Sequence, residues 1–228
     1  MEVKRTVKGT GRMFVLGVAF FSVLLVGWEG HASDFSPRRL DRSIRRLPPK
    51  VRIGLEIALS DKLFGQDPVK LQAFRDKLEG LDRRGLVKVG LGSYIVNANG
   101  DCNGCHTWLP GNTNWAPGGN PFQGQPKHIN VAGYLAGGRV FQLPPPPNGP
   151  GPVTSRNLTP DKDGLPAGMT EREFIELLRT GREEDEPDKI LQVMPWPVIG
   201  EMTNDDLKAI YAFLSVIPCV ESTGHLCQ

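Results

Sequence analysis

The chain has 228 residues and a formal net charge of +2, and its 27 glycines and 20 prolines make up about a fifth of it. This composition excludes a protein built mostly of long regular elements, whereas 39% hydrophobic residues suffice for a compact core. Only one long apolar run occurs and no glycine-rich phosphate loop is present, which excludes a polytopic membrane protein and the common nucleotide-binding enzymes.

Residues 1–32 have the order of a secretory signal peptide: a basic start, an apolar stretch and a small-residue ending at Ala32. The apolar run from Met13 to Trp28 is shorter than the roughly 20 residues that span a bilayer. We therefore expect cleavage after Ala32 and a periplasmic mature protein, with an uncleaved membrane anchor as the alternative. Beyond residue 32 basic and acidic residues are equal in number, which disfavours a nucleic-acid binder.

Residues 33–87 are predicted to form a basic helical extension. Its Arg-rich start is either a tail or a short helix, and the apolar spacing over residues 51–64 indicates a helix. Asp67 and Pro68 are predicted to begin the next helix, as an acidic cap and a first-turn proline. The positive charge of this extension indicates an ordinary solvated face. Alternatively, the extension lies on the acidic remainder of the chain, or on an acidic partner or a lipid surface, which would give peripheral membrane association.

Residues 88–218 are predicted to form the main domain. A helix is expected over residues 85–97, and Gly92 within it would let another element approach closely. From Trp108 onward the Gly/Pro-rich sequence predicts a long loop, in which residues 129–131 and 139–142 form either short strands of a hairpin or an irregular flap.

Two helix-start patterns follow this loop. Thr170 and Glu173 fit a capping box, and Gly181 is expected to end that helix. Thr203 is predicted to cap the last helix, which Pro218 stops. The overall prediction is a mainly α fold with five or six helices around a long loop.

The stretch Cys102-Asn103-Gly104-Cys105-His106 is the most informative in the chain. Two thiols at this spacing can each add to one vinyl group of a haem, and the adjacent histidine then reaches the iron, which is the pattern of c-type haem attachment. A zinc site, a thioredoxin-like redox pair and a simple disulfide are the alternatives. Zinc would need further ligands at similar spacing, and a redox pair would follow a strand rather than a helix.

The sixth iron ligand must come from another part of the chain. The candidates are Met169, Met194, Met202, His128 and His225. Met169 and Met202 directly precede predicted helix caps, where an apolar side chain usually acts as a hydrophobic staple. Met194 lies in a proline-stiffened loop that can hold a weak thioether donor in place. We therefore predict Met194 as the ligand, with His128 or an open position as alternatives.

Together these motifs resemble the class I cytochrome c family, and more closely the haem domains of cytochrome c subunits of bacterial membrane-bound alcohol and sugar dehydrogenases. The matching stretches are 92–94, 101–107, 134–138, 155–161, 174–181, 194–195 and 205–214. The resemblance covers about residues 88–218 and implies a single class I cytochrome c-like domain with one covalent haem c. It also implies an electron carrier rather than an enzyme, with a dehydrogenase as donor and an oxidase or another cytochrome as acceptor.

The resemblance further implies that Asn157 and Thr159 lie beside the haem propionates or the loop that carries Met194, although both residue types also favour ordinary turns. The chain departs from the family in having one haem motif, where these subunits usually carry three. Two other functions stay open: a haem enzyme or gas or redox sensor with an open sixth iron site, and a non-haem interaction protein.

Cys219 and Cys227 lie in the predicted C-terminal tail, residues 219–228. A disulfide is the default for such a pair in an oxidising compartment, and two free thiols are the alternative. We predict a bridge that fixes the tail.

Overall fold

A computed structural model describes residues 37–227, so the predicted signal peptide and its cleavage site lie outside the described residues. The helices are α1 (Pro37–Arg45), α2 (Pro49–Leu59), α3 (Pro68–Glu79), α4 (Arg83–Tyr94), α5 (Cys102–His106), α6 (Glu171–Thr180), α7 (Trp196–Ile199) and α8 (Asn204–Leu214). Two short antiparallel strands are β1 (Val140–Phe141) and β2 (Val153–Thr154). The prediction of a mainly α fold is confirmed.

The N-terminal region is helical, and its helix limits differ in one place from the predicted ones. Helix α2 ends at Leu59 rather than near residue 64, because Ser60 adopts an extended conformation and a separate 3₁₀ turn follows at Phe64–Gln66. The predicted start of α3 is confirmed, because the Asp67 side chain accepts hydrogen bonds from two backbone N–H groups of the first turn.

Helix α4 lies at the centre of the packing, and glycines let two helices approach its backbone. A Cβ atom on Gly92 would lie 1.9 Å from the carbonyl oxygen of Ala209 in α8. A Cβ atom on Gly54 of α2 would lie 2.0 Å from the carbonyl oxygen of Gly90. The domain boundary predicted between residues 87 and 88 falls inside α4, and the helices on both sides of it share one hydrophobic core.

A buried chain of hydrogen bonds connects these helices to the long loop. The Ser93 hydroxyl donates to the carbonyl oxygen of Gly54 (2.7 Å), and the Asn97 amide donates to the Ser93 carbonyl oxygen (3.0 Å). The Tyr134 hydroxyl donates to Asn97 Oδ1 (2.7 Å). In addition, Lys70 Nζ of α3 donates to a loop carbonyl at 2.7 Å, and burial lowers the pKa of this lysine. The N-terminal helices therefore support the loop directly.

Residues 107–169 contain 3₁₀ turns and the β1–β2 pair but no α-helix. The strand predicted at 139–142 overlaps β1, whereas its partner is β2 and not the segment 129–131. The segment 129–131 does not form a strand of this hairpin, because only Ile129 makes a bridge, to Trp115, and a 3₁₀ turn begins at Val131.

The helix starts predicted after the loop are confirmed. Thr170 and Glu173 form a reciprocal capping box for α6, and Gly181 ends this helix at a φ of 69°. The Thr203 hydroxyl accepts a hydrogen bond from the backbone N–H of Asp206 (3.1 Å) at the start of α8. Over residues 37–227, no helix is both long and apolar enough to cross a membrane.

Candidate cofactor site

The predicted haem-attachment residues lie together on the short helix α5. A π-turn, Ile95–Asn99, leads from α4 towards this helix, and Asp101 precedes it in the left-handed region at a φ of 45°. Cys102, Cys105 and His106 all line one cavity of about 400 Å³. Most of its other lining side chains are apolar, among them Ile95, Leu158, Phe174, Leu177, Ile210 and Leu214.

The two thiols of the motif are free and not joined to each other. Burial raises the pKa of the Cys102 thiol to about 12, and burial also raises the pKa of Cys105. Both side chains are therefore neutral thiols in this apolar site at neutral pH. The geometry gives no support to the alternative of a simple Cys102–Cys105 disulfide.

The imidazole of His106 is held in one orientation by a backbone carbonyl group. Its Nδ1 lies 2.7 Å from the carbonyl oxygen of Arg156. Because a carbonyl oxygen can only accept, Nδ1 carries the proton and Nε2 keeps a free lone pair. Burial lowers the pKa of His106, which favours the neutral imidazole that binds metals.

Methionine side chains also line the cavity. Met169, Met194 and Met202 all do so, although Met169 and Met202 were expected to act as hydrophobic staples. The backbone of Met194 makes two short-range hydrogen bonds. Its N–H donates to the carbonyl oxygen of Gln192, and its own carbonyl oxygen accepts from Trp196 N–H, each at 2.8 Å. Val193 has a φ of 70°, which is rare for a β-branched residue and marks a tightly constrained loop.

The two histidine candidates lie elsewhere. His128 Nε2 is 3.6 Å from a carboxylate oxygen of Asp61, and His225 Nε2 is 3.2 Å from the carbonyl oxygen of Pro160. Neither histidine is among the residues that line the cavity beside His106.

Asn157 and Thr159 are buried, but the structure directs their polar atoms to the C-terminal tail. Asn157 Nδ2 donates to the carbonyl oxygen of Val220 (2.7 Å), and Thr159 Oγ1 accepts from Val220 N–H (3.1 Å). Neither residue lines the cavity, whereas their neighbours Arg156 and Leu158 do. Their predicted position beside haem propionates or the loop that carries Met194 stays a prediction.

The predicted disulfide between Cys219 and Cys227 is confirmed. It closes residues 219–227 into a small ring, which we call the tail loop. Ser222 and His225 exchange backbone hydrogen bonds of 3.1 and 2.9 Å within it. The tail loop is thus an ordered element that packs beside the segment 155–161.

The cavity suits a haem in the chemistry of its lining. A porphyrin needs an apolar enclosure, two thiols spaced for its vinyl groups and a neutral imidazole, and one cavity wall carries these groups together. The zinc site and the thioredoxin-like redox pair, which the sequence left open, have no such support in the structure. Over the described range 37–227, no group of three or more His, Cys, Asp or Glu side chains is arranged to hold a metal ion. The motif also follows a helix and a π-turn rather than a strand.

One functional contact, the Arg156 carbonyl group, has no signal in the sequence. Every residue carries a backbone carbonyl, so nothing in the type of Arg156 indicates that it would accept from His106. The side chain of Arg156 is instead paired with Glu183 at 2.7 Å, and both residues line the cavity. Only the folded geometry brings this acceptor to the imidazole.

Proteins with similar sequences are cytochrome c subunits. The chain is 30% identical over 122 residues to the cytochrome c subunit of the quinone-dependent alcohol dehydrogenase of Gluconobacter oxydans, and likewise to that of Komagataeibacter europaeus. It is 29% identical over 122 residues to the cytochrome c subunit of gluconate 2-dehydrogenase of Pantoea cypripedii. Each alignment covers 54% of this chain.

The chain spans only about a fifth of the length of these relatives. No family model matches the chain, and no solved structure matches it. The resemblance predicted from the motifs is nevertheless confirmed: the chain is similar to cytochrome c subunits of bacterial alcohol and gluconate dehydrogenases.

Proposed function

We propose that the chain is a mono-haem c-type cytochrome that carries single electrons. The observation that carries this proposal is the grouping of Cys102, Cys105 and His106 on one wall of an apolar cavity that Met194 also lines. The similarity to cytochrome c subunits of dehydrogenases supports the same function. In this proposal Cys102 and Cys105 would attach the haem, and His106 and Met194 would bind its iron.

When bound, the haem would supply an iron that alternates between the ferric and ferrous states. The residues of the chain hold the ligands and exclude water. The Arg156 carbonyl group fixes the His106 imidazole with Nε2 as the available lone pair, and the constrained loop holds the Met194 thioether. Because the apolar lining is built in advance, little reorganisation accompanies a change of charge at the site. Iron held by both His106 and Met194 would have no position open for a substrate, which suits electron transfer rather than catalysis.

The proposal extends to location and partners. Residues 1–32 act as a signal peptide cleaved after Ala32, and the mature chain works in the periplasm. It receives electrons from a periplasmic or membrane dehydrogenase and passes them to an oxidase or another cytochrome. The named functions of the relatives support a dehydrogenase as the donor. N-terminal sequencing of the exported protein tests the cleavage, since a free amino terminus at Ser33 is expected.

The ligand assignment is tested by three matched variants, Met194→Ala, Met169→Ala and Met202→Ala, because all three side chains line the same cavity. The Met194 variant should lose the weak long-wavelength iron–thioether band of the oxidised protein and bind carbon monoxide when reduced. The other two variants should keep the band, since they lose only packing. Loss of the band in the Met169 or Met202 variant instead would assign the iron ligand to that methionine. Wild-type protein that binds carbon monoxide readily would favour a haem enzyme or sensor.

A further inference from the structure

The tail loop is hydrogen-bonded to the segment that orients the His106 imidazole. Both peptide groups of Val220 are engaged: its carbonyl oxygen accepts from Asn157 Nδ2 (2.7 Å), and its N–H donates to Thr159 Oγ1 (3.1 Å). Asn157 Nδ2 also donates to the hydroxyl oxygen of Ser222 (3.0 Å). The Cys219–Cys227 disulfide closes the ring that carries these acceptors.

The Asn157 amide is fixed on both sides. Its Oδ1 accepts from the backbone N–H and from the hydroxyl of Thr159, each at 2.8 Å, and its side chain is only 7% exposed. Asn157 directly follows Arg156, so its backbone nitrogen belongs to the same rigid peptide plane as the carbonyl oxygen that accepts from His106 Nδ1. A shift of Asn157 would therefore move the acceptor of the imidazole.

We infer that the tail loop is a clamp that positions the His106 imidazole, and that Asn157 is the positioning residue through which it acts. This inference rests on the proposed function, in which His106 binds the haem iron. A hydrogen bond from Nδ1–H to a carbonyl group raises the basicity of the other ring nitrogen as a ligand. A more basic ligand stabilises ferric iron, so an intact clamp holds the reduction potential down.

The test compares Asn157→Ala with Asn130→Ala in the haem-loaded full chain. Asn130 is a matched control, because it is 9% exposed and its Nδ2 also donates to two acceptors, the carbonyl oxygens of Pro110 and Thr113. Both variants should lose stability. Only the Asn157 variant should raise the equilibrium constant for reduction, roughly three- to tenfold, where tenfold corresponds to about 59 mV for one electron.

A second readout does not depend on redox activity. Solvent exchange of the His106 Nδ1 proton, followed by NMR, should be faster in Asn157→Ala than in the wild type and unchanged in Asn130→Ala. A folded Asn157 variant with wild-type potential and exchange would overturn the clamp, as would an equal effect in the Asn130 variant. If the wild-type chain carries no haem, the proposed function fails, while the same exchange measurement on the haem-free chain still tests the clamp.

The double variant Cys219→Ser/Cys227→Ser tests the clamp from its other end, and also if Asn157→Ala does not fold. Opening the ring leaves Asn157 intact but loosens its acceptors on Val220 and Ser222. The potential should rise in the same direction as in Asn157→Ala, and combining the two changes should add little. A folded double variant with unchanged potential and unchanged Nδ1 exchange would contradict the inference.

Discussion

The helical part of the molecule and the loop part around the cavity share one hydrophobic core, but the loop part adds directed polar contacts and a covalent closure. Helices α2, α4 and α8 meet in backbone contact through Gly54 and Gly92, where there is no space for a side chain. The loop part is also tightly packed, since a Cβ atom on Gly133 would meet the carbonyl oxygen of Leu109, but it adds individual hydrogen bonds, such as that from Asn157 to Val220, and one disulfide. This difference indicates that tight packing fixes the positions of the helices, while directed polar contacts orient the proposed iron ligands.

The largest expected effect is at the α4–α8 contact. Gly92→Val should destabilise the fold by about 4 kcal/mol or more, because its Cβ atom would lie 1.9 Å from a backbone oxygen. Denaturant unfolding measures the loss. Gly80→Ala at the end of α3 is the control, since its Cβ atom would have its nearest neighbour at 3.6 Å. Equal destabilisation by both variants would show that the crossing is not specially tight.

The disulfide of the tail loop should have the next largest effect. In the chain-entropy model, closing so short a ring stabilises the fold by about 2.5 kcal/mol. The double variant Cys219→Ser/Cys227→Ser should therefore unfold at a correspondingly lower denaturant concentration. An unchanged midpoint would mean that the loop part stays ordered without its covalent closure.

Tyr134 joins the two parts through its hydrogen bond to Asn97 Oδ1. Tyr134→Phe should cost about 1–2 kcal/mol, because it leaves a buried amide oxygen without a donor. Tyr94→Phe is the matched control: Tyr94 is only half-buried, and its hydroxyl makes no hydrogen bond to the residues that the structure describes. If the two variants unfold alike, the buried chain of hydrogen bonds does not couple the helices to the loop.

The smallest effect concerns the capping box of α6 and depends on pH. Hydrogen bonds from the Thr170 N–H and hydroxyl lower the pKa of Glu173 below its ordinary value of 4.5. Such a carboxylate stabilises the fold above pH 4.5, and this contribution is lost as the pH falls through the lowered pKa. The stability difference between wild type and Glu173→Gln should therefore shrink on acidification. A difference that is constant between pH 7 and pH 3 would contradict the assignment.

Local signals predicted much of the helical part. The caps at Asp67, Thr170 and Thr203 and the close approach at Gly92 follow from residue types whose physical preferences act within one turn or one contact. The arrangement of the loop part was harder to predict from the sequence, because β1 pairs with β2 across a proline-rich turn that hydrophobic patterning does not describe. Short-range periodicity carries little information about such pairings.

The candidate site also contains residues that the sequence predicts and contacts that it does not. The motif from Cys102 to His106 is contiguous, so its residues could be named from the sequence, and the structure places them on one cavity. The Arg156 carbonyl acceptor could not be named, since backbone groups have no residue-type signal. Asn157 and Thr159 were predicted to lie beside haem propionates or the Met194 loop, whereas their polar atoms contact the tail loop, which lies more than 60 positions away in the chain.

The central claim is covalent attachment of one haem through Cys102 and Cys105. Mass spectrometry of the exported protein after acid–acetone extraction tests it most directly, with Cys102→Ala/Cys105→Ala as the control. The account predicts a wild-type mass larger by one haem, retained through extraction, and a control that gives all of its haem to the solvent. A wild-type chain with the mass of the bare polypeptide, after expression with the haem-attachment machinery, would contradict the account.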